Sequence, residues 1–166
     1  MSEYVNNNNS EALDWEDEIE ESSGFVLLPD GDYRFTVTGF ERGYFQPTRQ
    51  DSKIPPCNQA DYSLTIEWKD SAGISRTNVL HYRLKLTRSL QWLIYEFFES
   101  IGLRKKGDGT TKMPWEKAIG CSGICEIGHH DANGKTYNDV NKCYPVGLAP
   151  TVVKNEQPAS FNKYTL

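Results

Sequence analysis

Three observations predict that the 166-residue chain folds as a mainly β domain with one helix. Several short stretches alternate apolar and polar residues with period two, one stretch switches to helical spacing, and Asp/Gly and Asn/Gly turn signals separate neighbouring strand-like stretches. The first strand is GDYRFTVTGF, residues 31–40, where Tyr33, Phe35 and Val37 alternate with Arg34, Thr36 and Thr38. One face of such a strand goes to a core and the other to solvent. The stretch 41–59, with three prolines and a glycine, is predicted as a long loop. Residues 60–69 alternate again through Tyr62, Leu64, Ile66 and Trp68, and the turn DSAG at 70–73 leads into a third strand at 74–84.

The period then changes. Leu90, Leu93, Ile94, Phe97 and Ile101 recur at helical spacing, Trp92, Tyr95 and Phe98 widen the stripe, Thr87 is placed to cap the helix and Gly102 to stop it. A polar loop, RKKGDGTTK, and a short helical turn from Pro114 to Gly120 follow. The last two strands, 121–128 and 135–146, are joined by HHDANG, whose Asn133-Gly134 is a hairpin signal. Tyr33, Phe35, Tyr62, Trp68, Trp92 and Phe97 are the predicted aromatic core. Three strands, a helix and two strands is the element order of an OB-fold-like five-stranded barrel with one helix between the third and fourth strands. The predicted division is a disordered acidic arm at 1–23, an OB-like domain at 24–146 and a flexible C-terminal tail at 147–166.

Charge is unevenly spread. The formal net charge is −5, yet Glu3, Glu11, Asp14, Glu16, Asp17, Glu18, Glu20 and Glu21 lie in residues 1–24 with no base among them. Removing these eight from 23 acidic residues leaves 15 against 18 basic ones, so the remainder carries about +3. Such asymmetry suggests a polyanionic partner or a self-masking tail. No apolar run approaches the length of a membrane span, and no basic segment followed by an apolar one opens the chain, so a cytoplasmic protein without anchor or signal peptide is expected. The four cysteines, Cys57, Cys121, Cys125 and Cys143, are expected as reduced thiols. Cys121 and Cys125 have loose zinc-knuckle spacing, but Cys57 and Cys143 lack partners at ligand spacing. Small buried apolar side chains are the preferred reading, with no metal or cofactor.

The stretches FVLLPDGDYRFTVTGFERG, IPPCNQA, EFFESIGLRKKG, MPWEKAIG and GKTYNDVNKCYP resemble a family of tailed-phage proteins. Genomes place that family in replication and recombination modules beside annealases or helicases, and it is taken to comprise phage single-stranded-DNA-binding proteins. The resemblance covers roughly residues 12–146, with LP-x-G-x-Y and G-x-x-YNDV as its recurrent marks. It implies an OB-like fold, sequence-non-specific binding of single strands and a bacterial host cytoplasm, and it assigns no particular DNA-contacting residue.

Sequence-tolerant binding of a single strand needs cations for phosphates and aromatic faces on which unstacked bases rest. In an OB-fold these come from the second and third strands and from the loops joining strands one to two and four to five. The first loop offers Arg42, Tyr44, Phe45, Arg49 and Lys53; the alternative reading is that the two rings pin the loop to the barrel wall. The third strand offers Arg76, Tyr82, Arg83 and Lys85, with His81 among them. Alternation puts Arg76 and Tyr82 on one side: an outer side would expose Leu80, and a core side would leave Arg76 at the rim. The last hairpin offers Lys135, Tyr137 and Lys142, while the bases at 104–106 read as a solvated helix exit.

The acidic arm admits two readings. It is a tethered competitor for a basic groove, or a docking peptide whose Leu13, Trp15 and Ile19 share one helical face and meet a recombinase or helicase. An enzyme is the rival class, since HHDANGK brings His129, His130 and Asp131 together, but the same run reads as a hairpin turn and no second ligand cluster accompanies it. The expectation is therefore a non-enzymatic protein that holds single-stranded DNA during phage replication or recombination. The alternative is a protein-interaction module acting through the arm. Open edge strands offer a route to homo-oligomers.

Overall fold

The computed structural model describes residues 12, 14–16 and 26–156. Five strands form one antiparallel sheet: β1 (Gly31–Phe45), β2 (Cys57–Lys69), β3 (Ser75–Lys85), β4 (Ser122–Ala132) and β5 (Lys135–Tyr144). The order is β3-β2-β1-β4-β5. One helix, α1 (Gln91–Ser100), lies between β3 and β4. β1 is shared, pairing with β4 through Gly31–Thr36 and with β2 from Thr36 to Phe45. The fold is thus the OB-like one read from the sequence. The sheet is not closed, because β3 and β5 share no ladder, so it is a barrel only loosely. The two edges nonetheless come close, since the buried Tyr82 of β3 and the buried Cys143 of β5 each influence the other's ionisation.

Backbone segments at both ends of the described domain fill the gaps that an open sheet leaves. At the β3–β5 seam, Asn78 of β3 and Asn138 of β5 both donate to the Val26 carbonyl, at 2.8 and 3.0 Å. Leu28 donates its N–H to Asn138 Oδ1 and is itself fully buried. His129 holds the Leu28 carbonyl through Nε2 at 2.6 Å and Asp30 through Nδ1 at 2.7 Å. Trp68 Nε1 in turn donates to Asn78 Oδ1. The second gap opens where β2 peels away from β1. There the Asn155 amide accepts from the Arg34 N–H and donates to its carbonyl and to that of Glu67. The Lys154 N–H donates to the Asp32 carbonyl, and Arg34 pairs with Glu156. The segment expected as a mobile tail therefore follows β1 as far as Glu156, because β1 offers it unpaired backbone groups. Residues 157–166 lie outside the described residues, as do 1–11, 13 and 17–25 of the expected acidic arm and its junction.

The core is the period-two face of the sheet closed by α1. Tyr33, Phe35, Val37, Tyr62, Leu64, Ile66, Trp68, Leu80 and Leu84 face Ile94, Phe97, Phe98 and Ile101. Phe97 sits among Tyr62 and Tyr82, with ring centroids 4.7 and 5.7 Å away. Burying each such side chain contributes about 1.5–3 kcal/mol. Gly123 on β4 is the close approach that lets α1 dock, since a Cβ there would lie 2.8 Å from both the Phe35 ring and the Ser100 carbonyl.

Several elements depart from the sequence reading. The helix ends as expected, with Gly102 at φ +82° and the Leu103 N–H returning to the Phe98 carbonyl. It begins differently: a 3₁₀ turn, Arg88–Leu90, precedes it, and the Thr87 hydroxyl meets that of Ser89 rather than a helix N–H. Trp92 is 59% exposed and leaves the predicted core, because the buried stripe is already filled by Ile94, Phe97 and Phe98. The predicted loop 41–59 is sheet at both ends. After a bulge between Val37 and Gly39, β1 continues against β2 to the Phe45–Cys57 pair, leaving only residues 46–56 as the connection. Gly43 and the prolines mask this arm in the sequence, although Arg42 and Tyr44 alternate with Gly43 and Phe45 along it.

Candidate nucleic-acid interface

The register of β1, β2 and β3 stacks three rows across the outer face at the arm: Gly43, Gln59 and Lys85; Glu41, Asp61 and Arg83; Gly39, Ser63 and His81. Phe45, opposite Cys57, ends this face. Lys85 Nζ lies 4.6 Å from the Phe45 ring centroid. Asp61 organises the middle row by accepting from Arg83 Nε at 3.2 Å and meeting His81 Nδ1 at 2.9 Å. The other face of the arm continues the core side and carries Arg42 and Tyr44. Arg42 lies 5.3 Å over the Phe40 ring and 3.5 Å from Glu116, yet stays largely exposed, and Tyr44 is 62% exposed. Arg49, 3.4 Å from Asp51, and Lys53 sit exposed in the connecting loop.

The fold thus gathers Arg42, Tyr44, Phe45, Arg49, Lys53, Arg83 and Lys85 about one end of the sheet, distributed over both faces of a two-stranded arm. The question left open for β3 is settled: the Arg76–Tyr82 side is the core side. Tyr82 is a correction to the predicted contact set, since it is buried against Phe97 and burial pushes its phenol well above the usual range. Arg76 sits at the rim and pairs with Asp70 at 2.8 Å. Asp70 also accepts from the Ala72 and Ile74 N–H groups, and its backbone bond with Ile74, followed by Arg76, holds its carboxyl below the usual range. Arg76 is therefore part of the turn rather than of a groove.

Lys135, Tyr137 and Lys142 belong to a separate region. β4 runs past the start of β1, so the β4–β5 hairpin overhangs the end opposite the arm. Tyr137 stacks on His130 with centroids 5.6 Å apart, and Lys142 Nζ lies 4.9 Å from the Tyr144 ring centroid. Asn133 and Gly134 both take positive φ, as their turn requires. Of the basic run at 104–106, Arg104 is nearly buried over the Tyr95 ring and donates to the Gly109 carbonyl. Cys125 and Cys143 are buried opposite one another; burial pushes the Cys125 thiol up to about 12 and Cys143 well above the ordinary value. Among the described residues no three His, Cys, Asp or Glu side chains are grouped to hold a metal ion, and no helix is long and apolar enough to cross a membrane.

Sequence reasoning missed Asp61, Asn58, Gln59 and Trp115 as neighbours of the site. Asp61 already lies on the outward side of the predicted second strand, and alternation extended back from residue 60 would have revealed Asn58 and Gln59. Trp115 lies in a one-turn segment, Trp115–Ala118, that only the tertiary fold brings to Phe40, 6.4 Å away between centroids. Of the expected arm anchors, Trp15 is fully exposed, while Leu13 and Ile19 lie outside the described residues. Compared with known proteins, the chain matches no protein-family model and no curated protein.

Proposed function

We propose that the protein binds single-stranded DNA without sequence preference at the β1–β2 arm, without chemistry of its own, and serves phage replication or recombination. The observation that carries this reading is the convergence of exposed cations and rings on one sheet end: Arg42 and Tyr44 on one face, Lys85 against Phe45 beside Arg83 on the other, and Arg49 and Lys53 at the tip. Stacking of a base on such a ring is worth about 1–3 kcal/mol and tolerates any base. Cations take the phosphates, and Asp61 and Glu41 between them keep the charge moderate, which favours stacking over electrostatics as the main source of affinity. The phage affiliation is supported by the sequence motifs quoted above. The hairpin bearing Lys135, Tyr137 and Lys142 serves as a second, outlying contact for a longer strand.

The test is fluorescence anisotropy of a labelled mixed-sequence single strand, titrated with the full chain at about 50 and 200 mM salt beside a duplex control. Binding that weakens with salt and prefers the single strand supports the reading, and indifference to both nucleic acids refutes it. The full exposure of Trp15 within the acidic segment favours a second reading. In it, that segment meets a recombinase or helicase, its apolar residues docking while its acids steer the encounter. Deleting residues 1–23 separates the two: tighter DNA binding marks a self-competitor, and unchanged DNA binding with lost partner binding marks a docking peptide.

A further inference from the structure

On the core-side face of the arm, where β1 and β2 overrun the body of the sheet, lies a recess of about 170 Å³. Its lining includes Phe40, Arg42, Asn58, Gln59, Leu86 and Trp115. The Phe40 and Trp115 rings lie within 5° of parallel, and Leu86 adds a further apolar wall. The Asn58 carboxamide, on the same face of β2 as Ala60, supplies both donors and an acceptor. Arg42 stands at the mouth, its guanidinium exposed and only 3.5 Å from Glu116.

We propose that this recess seats a single unstacked nucleobase of the bound strand; the proposal rests on the reading of the protein as a single-strand binder. The occupant follows from the chemistry of the walls. An aliphatic chain would leave the Asn58 amide unmatched, and a lone phosphate would gain nothing from the Phe40, Leu86 and Trp115 walls. A heterocycle offers apolar faces to the rings and leucine and a hydrogen-bonding edge to the Asn58 amide, which can turn to meet different bases. The volume lies below the range of about 300–1,000 Å³ usual for drug-sized ligands, so one ring system fits rather than a stack. With its base turned inward, the nucleotide leaves its phosphate at the mouth, beside Arg42. Tyr44 and the loop cations are then placed to carry the flanking nucleotides.

The experiment is a titration of the isotope-labelled full chain by two-dimensional NMR, following the side-chain amide of Asn58 and the Trp115 indole N–H. The probes are millimolar deoxynucleoside monophosphates, deoxyribose 5-phosphate and an oligothymidylate. The expected result is movement of these resonances with the nucleotides and the oligonucleotide and none with the sugar phosphate. Replacing the amide (N58A) should weaken oligonucleotide binding by at least about fivefold with the salt slope unchanged. Asn58 is exposed at the end of the arm, and an unshifted thermal midpoint verifies folding. If the oligonucleotide binds while these resonances stay still, the base seat is overturned and the single-strand reading survives. If nucleotides move them and the oligonucleotide does not bind, the seat stands and the single-strand reading falls. Movement with the sugar phosphate alone overturns the seat in favour of a simple anion contact.

Discussion

At the β2–β3 turn, Arg76 is held 2.8 Å from Asp70, Trp68 donates to Asn78, and Asn78 holds Val26. At the β1–β2 end, Arg42 has only a 3.5 Å approach to Glu116, Tyr44 projects into solvent, Lys85 rests on Phe45, and Lys53 is exposed. Both ends pair cations with aromatic rings. One end engages them in its own turn and in the segment that seals the β3–β5 seam, and the other leaves them presented. Residue type alone does not mark a nucleic-acid contact. What separates the ends is whether a carboxylate or carbonyl already satisfies the donor at close range, since a donor so engaged has little left for a ligand.

The largest expected effect breaks the comparison at the arm. Replacing Tyr44 and Phe45 together with alanine should cost about 1–3 kcal/mol of single-strand affinity for each ring that stacks a base, read by anisotropy. Tyr44 is exposed, so replacing it alone should leave the thermal midpoint nearly unmoved. The converse substitution is Asn78→Ala. It strands the Trp68 indole N–H and removes one of two donors to Val26, so it should lower unfolding free energy by about 1–3 kcal/mol in denaturant titrations while affinity for DNA stays within error.

A smaller effect sharpens the outer face. Asp61→Asn removes the charge that restrains Arg83 and His81, so affinity should rise and the slope of log K against log salt should steepen by at most about 0.7, the share of one extra phosphate contact. The smallest concerns the turn. The Asp70 carboxyl is held below its usual range in the folded state, so its contribution is present above the unfolded value near about 3.9 and is lost as pH falls through the folded one. Asp70→Asn keeps an oxygen for the turn N–H groups and loses the ion pair with Arg76. The gap in thermal midpoint between the two proteins should therefore close in strong acid.

The legibility of the chain follows the same division. Period-two alternation identified Tyr33, Phe35, Tyr62 and Trp68 as core because those strands are buried on one face only. Asn133-Gly134 and Gly102 marked their turn and helix stop because positive φ is costly for other residues. The arm was hidden because Gly43 lies within it and three prolines lie in the connection beyond, whereas pairing between β1 and β2 carries the strand through Gly43. Trp92 was misplaced because an apolar stripe wider than the available groove leaves one ring outside. The fates of Arg76 and Tyr82 were set by a choice of face that alternation leaves ambiguous. The straps at 26–30 and 153–156 carry no periodic signal at all. They are held by contacts far apart in the sequence, among them the asparagine side chains Asn78, Asn138 and Asn155 on backbone groups and His129 on the Leu28 carbonyl.

The most direct measurement is photocrosslinking of the full chain to an oligonucleotide carrying 5-iododeoxyuridine, with crosslinked peptides mapped by mass spectrometry. Crosslinks concentrated at Tyr44 and Phe45, and absent from the β2–β3 turn, are the predicted result. Crosslinks confined to the β2–β3 turn or to the β4–β5 hairpin would contradict the placement of the strand on the arm.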